Sequence, residues 1–105
     1  AEAMEALAES GGYEAASLLV GGLFDEDATV RERAARSIAA MDTPELPVAL
    51  SEALMARPMA EIEMAAEVLP LVRAHGELIL AIAADEQESV ARATRAVACA
   101  GYLGA

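Results

Sequence analysis

The chain has no tryptophan, and its 105 residues include one cysteine, one phenylalanine, two tyrosines and one histidine. Each shortage removes a class of explanation. The lone Cys99 rules out an internal disulfide and fits a reducing compartment. One cysteine and one histidine supply too few ligands for a structural zinc site. With so little aromatic bulk and so much alanine, a core has to be assembled from many small contacts between helices that approach closely. No uncharged run nears the roughly 20 residues that a membrane-spanning helix needs. The first residues carry glutamates where a signal peptide would have a basic start and an apolar centre. Lysine is absent too, so every cation is arginine, which reads as the coding bias of a bacterial or archaeal-like composition.

What is present is acidic and apolar. A formal net charge of -11 argues against nucleic acid, because neutralising a phosphate backbone takes a basic face. The hydrophobic content of 56% is ample for the core of one domain. The missing initial Met leads to the expectation of a fragment of a larger protein or a trimmed chain, cytoplasmic by default.

Helical spacing runs through the whole sequence, and nothing alternates with the period of a strand. Met4, Leu7 and Ala8 among Glu2, Glu5 and Glu9 predict a leading helix over residues 1–10, stopped by Ser10-Gly11-Gly12. A second helix follows from Tyr13 to Phe24, where Gly21-Gly22 signals close packing or a frayed end. The Asp25-Glu26-Asp27 turn sets carboxylates at the start of a third helix that reaches Met41. Thr43 as N-cap with Pro44 at the first helical position begins the fourth. Arg57-Pro58 begins the fifth, which Pro70 kinks or ends. Glu77 to Ala84 forms the sixth, and Asp85, paired with Glu88 in a capping box, opens the seventh.

Three of these stretches share one plan, an acidic turn followed by Val-Arg or its counterpart and a stripe of small residues. Anchors at Val30, Ile62 and Val90 give repeat lengths of 32 and 28, with Leu18, Leu50 and Leu78 in register on the first helices. Such units cannot bury their apolar faces alone and stack on their neighbours. The pattern resembles the HEAT repeat family, including the short HEAT-like repeats of bilin lyases. It is clearest in Leu18-Leu19, Asp25, Val30-Arg31, Ala34-Ala35 and Ile38, and again in Leu78, Asp85, Val90, Ala93 and Val97. The resemblance implies an all-α, right-handed α-solenoid of about three helix pairs (residues 13–42, 43–74 and 75–105) plus the N-terminal helix. The first helices would be convex and the second concave.

The departures from that pattern are swaps of charge. The turn positions read Asp25, Arg57 and Asp85, and the helix positions read Arg31, Glu63 and Ala91. Alternating signs predict a structural ladder through Asp25, Arg31, Arg57, Glu63 and Asp85, with Arg57 between the two aspartates. On the second helices, Arg33 and Arg36, Glu63 and Glu67, and Arg92 and Arg95 form a candidate partner surface, or else ion pairs on a solvated face.

Catalytic chemistry finds few residues. His75 beside Gly76 reads as a helix-end cap, and a phosphotransfer role would need it exposed in mid-helix. Cys99 among Ala96, Val97, Ala98 and Ala100 reads as a buried, unactivated thiol. The Asp25-x-Asp27-x-Thr29 start of a calcium loop fails at Val30 and Arg36, which stand where glycine and glutamate are required. No glycine pattern cradles a phosphate. The methionines read as gap fillers in an alanine-rich core.

The reading is a protein-protein interaction or scaffold module, without catalytic, cofactor or metal residues. Its partner is another protein or another domain of the same chain, or a second copy through the uncharged C-terminal helix. The alternatives are an enzyme-associated domain of the bilin lyase kind and a structural or regulatory segment of a multidomain protein.

Overall fold

Every regular element is helical across residues 12–104, the part of the chain that the computed structural model describes. In chain order these are α1 (Gly12–Gly22), α2 (Ala28–Ala40), α3 (Glu45–Ala56), α4 (Met59–Met64), a 3-10 segment (Leu69–His75), α5 (Glu77–Ala84) and α6 (Val90–Leu103). The leading helix expected over residues 1–10 falls outside the described residues.

Short polar side chains set the starts of α2 and α6. Asp25 accepts the amide of Asp27 at 2.8 Å, and Asp27, the N-cap of α2, accepts the amide of Thr29 at 2.8 Å. Asp85 repeats the first of these turns with Gln87 at 2.8 Å. It does not cap α6: Asp85 still closes α5, and Ser89 is the N-cap, accepting the amide of Arg92 at 3.3 Å. At the start of α3 the cap position belongs to Pro44, whose fixed φ of -66° is already helical, and no side-chain bond from Thr43 is made.

The fifth expected helix breaks earlier than Pro70. Proline has no N–H to give to the carbonyl of Ala66, so the α-helical ladder cannot continue across it. The chain tightens beforehand into shorter bonds, Val68 N to Ala65 O at 3.0 Å and Leu71 N to Val68 O at 3.0 Å. One 3.6-residue helix is thereby divided into α4 and the 3-10 segment.

Packing follows chain order. α1 lies against α2 and α3, α2 against the 3-10 segment, and α3 against α5; α6 lies against α5, α3 and the 3-10 segment. Leu23, Ile38, Leu46, Leu50, Leu54, Ile62, Leu69, Ile79 and Leu103 are fully buried between them. Each contributes about 1.5–3 kcal/mol of burial. Alanines 34, 35, 65, 96 and 100 fill the narrow contacts. At Gly22 the approach is closer still, since an added Cβ would stand 2.8 Å from that of Ala34. Close packing is therefore what Gly22 provides, whereas a Cβ on Gly21 would make only ordinary contact with Arg57.

The repeat anchors do not occupy equivalent sites. Ile62 is buried, but Val30 is 39% and Val90 83% exposed. Likewise Leu50 is buried while Leu18 and Leu78 are exposed. The buried rows are Arg31, Ala34 and Ile38 on α2; Ile62, Ala65 and Leu69; and Ala96, Cys99 and Leu103 on α6. Each row advances by three and then four residues, as one face of a helix does.

Candidate functional site

Two of the arginines that stand out in the sequence, and its one histidine, are engaged at helix junctions. Helix ends leave carbonyls without partners. Here side chains from the same or the next helix pair supply them. Arg31 rises from the first turn of α2 into the α1–α2 connection, where Nη1 donates to the carbonyls of Asp25 at 2.7 Å and Glu26 at 3.0 Å. Its Nη2 donates to Glu67 Oε1 at 2.9 Å, while its Nε is buried without a protein partner.

Pro58 creates the second orphan. The carbonyl of Leu54 would pair with the amide of residue 58, which is proline. Arg95 Nε donates to it at 2.7 Å, and Cys99 Sγ lies 3.5 Å away. Arg95 Nη2 also donates to the carbonyl of Arg57. A guanidinium at the C-terminus of α3 is further favoured by the helix dipole. His75 makes the third junction, its Nε2 donating to the carbonyl of Ile38 at 3.0 Å. It therefore caps the end of α2 and not its own segment.

The ladder does not form as its alternating signs suggest. Arg57 pairs with Glu61 at 2.7 Å and lies over the Phe24 ring, 4.7 Å from its centroid. Asp25 and Asp85 accept backbone amides of their own turns. Arg31 pairs with Glu67, and Glu63 is exposed. Phe24, the residue before Asp25, offers Arg57 an aromatic face, and Glu61 supplies its carboxylate.

The candidate partner residues are scattered in role. Arg36 pairs with Glu32 at 2.9 Å and Arg92 with Glu88 at 3.0 Å, each across one helical turn. Arg33 is exposed, with no ion pair among the described residues. Arg95 is committed to carbonyls, so it is not available to a partner as a free cation. Glu67 is 60% exposed beyond its bond to Arg31.

Glu67 also lines a groove of about 340 Å³ between α2 and the 3-10 segment, together with Ala28, Thr29, Glu32, Val68 and Leu71. Leu71 is exposed there beside two carboxylates. The sequence reading passes over it, because a break at Pro70 does not say which face of the chain beyond it is left exposed. A smaller feature was missed as well. Tyr13 donates to Glu52 at 2.5 Å across α1 and α3, and that bond raises the phenol above its ordinary value. Burial pushes the Cys99 thiol up, with the charge of Arg95 opposing, so the thiol is not activated.

Among the described residues no group of three His, Cys, Asp or Glu side chains is placed to hold a metal ion. No described helix is long and apolar enough to cross a membrane. No family model, curated protein or solved structure matches the sequence.

Proposed function

We propose that this chain is a protein-binding scaffold module, built as a short HEAT-like right-handed α-solenoid with a groove on the side of its second helices. The observation that carries the reading is the order of packing: first helices lie on first helices, and second-helix elements on their successors. Such an arrangement generates extended grooves between neighbours, the surfaces on which repeat proteins hold their partners. The groove of Ala28, Thr29, Glu32, Glu67, Val68 and Leu71 combines exposed apolar area with carboxylates. It suits a segment that presents an apolar side chain next to a basic one.

Charge supports that partner chemistry. Arg31, Arg36, Arg57 and Arg92 are paired with glutamates and Arg95 with carbonyls. The excess carboxylates of a chain at -11 are left to face outward, and that field attracts basic partners. Selection from a random-peptide display library tests the reading. Enriched peptides should be basic and apolar, should bind the wild-type chain and should lose binding to Leu71→Arg. Leu80→Arg, an exposed position on α5 outside the groove, should retain it. Equal loss in both variants, or in neither, rejects this groove as the site.

A further inference from the structure

A second groove carries an inference independent of the scaffold reading. It holds about 460 Å³ at the end of α2, where the α2–α3 connection meets the chain between the 3-10 segment and α5. Asp42 lines it from the connection, and His75 and Glu77 line it from the other stretch; no arginine is among the lining residues. Both carboxylates are exposed, and neither is in an ion pair among the described residues.

The polar groups around this groove mostly accept hydrogen bonds. The last carbonyls of a helix lack intrahelical partners and form the negative end of its dipole. That of Ala40 cannot be capped by the amide four residues on, because that residue is Pro44. His75 is only 8% exposed and commits Nε2 to the carbonyl of Ile38 at 3.0 Å. A carbonyl can only accept, so the proton sits on Nε2. In the neutral ring this leaves Nδ1 an acceptor, with no hydrogen-bond partner among the described residues. The imidazole and the two carboxylates are not gathered closely enough to hold a metal ion. They suit instead a ligand whose N–H donors are spread along its length, and Met41, exposed on the lining beside Pro44, offers such a ligand apolar contact. We propose that this groove binds a small aliphatic diamine in its doubly protonated form, one ammonium on Asp42 and the other on Glu77, with His75 Nδ1 accepting from one of them. Two positive charges match two unpaired carboxylates, and the negative end of α2 favours both.

Calorimetric titration of the full chain with diaminobutane tests the assignment. Constant ionic strength keeps the general attraction of a chain at -11 for cations out of the comparison. Diaminobutane should bind at one saturable site, several-fold more tightly than butylamine, which has a single ammonium. Asp42→Asn and Glu77→Gln should each lower the affinity several-fold. Glu86→Gln, at an exposed carboxylate of the α5–α6 connection outside the groove, should leave it unchanged. Nitrogen NMR of the wild-type His75 ring gives a readout that needs no variant, and Nδ1 should shift along the same saturation curve. Equal affinity for butylamine, equal losses in all three variants, or a His75 ring that does not respond overturns the proposal. So does tighter binding of a lysine-containing peptide than of diaminobutane, which would assign the groove to the side chain of a partner.

Discussion

Replacing Arg31 with methionine tests whether a buried guanidinium holds the α1–α2 connection. Methionine keeps much of the side-chain volume and removes every donor. Two hydrogen bonds from a charged donor to carbonyls, at about 1.5–3 kcal/mol each, give a gross loss of about 3–6 kcal/mol. Two effects reduce it. The turn residues Asp25 and Glu26 are exposed, so water reaches part of what Arg31 abandons. The variant also relieves the burial of Nε, which has no partner and costs about 1–3 kcal/mol. The net destabilisation should be about 2 kcal/mol, which lowers the melting temperature of a chain this size by roughly 10 °C.

The ion pair contributes little of this. Glu67 is 60% exposed, so Glu67→Gln should cost less than about 1 kcal/mol. Thermal and urea melts followed by circular dichroism distinguish the two contributions. Equal losses in both variants would transfer the effect from the carbonyls to the salt bridge. An Arg31→Met melt at or above wild type would refute the capping role outright.

Three further outcomes follow from the same geometry. Gly22→Ala should destabilise the fold in melts although alanine is the better helix former by about 1 kcal/mol, because its Cβ would stand 2.8 Å from that of Ala34; the double variant with Ala34→Gly should recover part of the loss. Cys99 should resist thiol reagents in the native chain and react on unfolding, since burial both shields it and raises its pKa; rapid native labelling would contradict that. Tyr13 should ionise above the ordinary phenol value, seen as a late ultraviolet titration step that moves down in Glu52→Gln. Because its pKa is raised on folding, its contribution to stability is present below the unfolded phenol value and is lost as pH rises through the folded one.

Local chemistry was the most legible part of the fold. The limits of α5, Glu77–Ala84, follow from Gly76 and Asp85, and the acidic start of α2 from its aspartates. These features depend on neighbours in sequence. Features that depend on neighbours in space were harder to read. The cap at Ser89 competes with an equally plausible Asp85, and the choice is settled only by how far α5 runs. Leu103, near the end of the uncharged C-terminal stretch, is buried against Gly76, where an added Cβ would stand 2.7 Å from its Cδ1. The exposure of Leu71 depends on how the 3-10 segment after Pro70 lies against α2, which spacing does not give. One available signal went unused: Pro58 deprives the Leu54 carbonyl of its amide, and that calls for a donor from elsewhere.

The repeat register shows why aligned residues can mislead. Moving one position along a helix turns a side chain by about 100°, so a spacing wrong by one residue exchanges faces. The N-cap positions Asp27 and Pro58 lie 31 residues apart, as do the buried Arg31 and Ile62. The anchors Val30 and Ile62 lie 32 apart and differ in burial. In the register that matches burial, α2 has an arginine where α4 has isoleucine. The carbonyls account for the exchange. Those of Asp25 and Glu26 are supplied by Arg31 of the adjoining helix α2, whereas those of Leu54 and Arg57 are supplied by Arg95 of the distant helix α6. Position 62 is therefore free to be apolar, because its connection is capped from outside. The two arginines do one job from different helices. A search for charges at matching positions passes over this relation, and counting unpaired carbonyls at helix ends would reveal it.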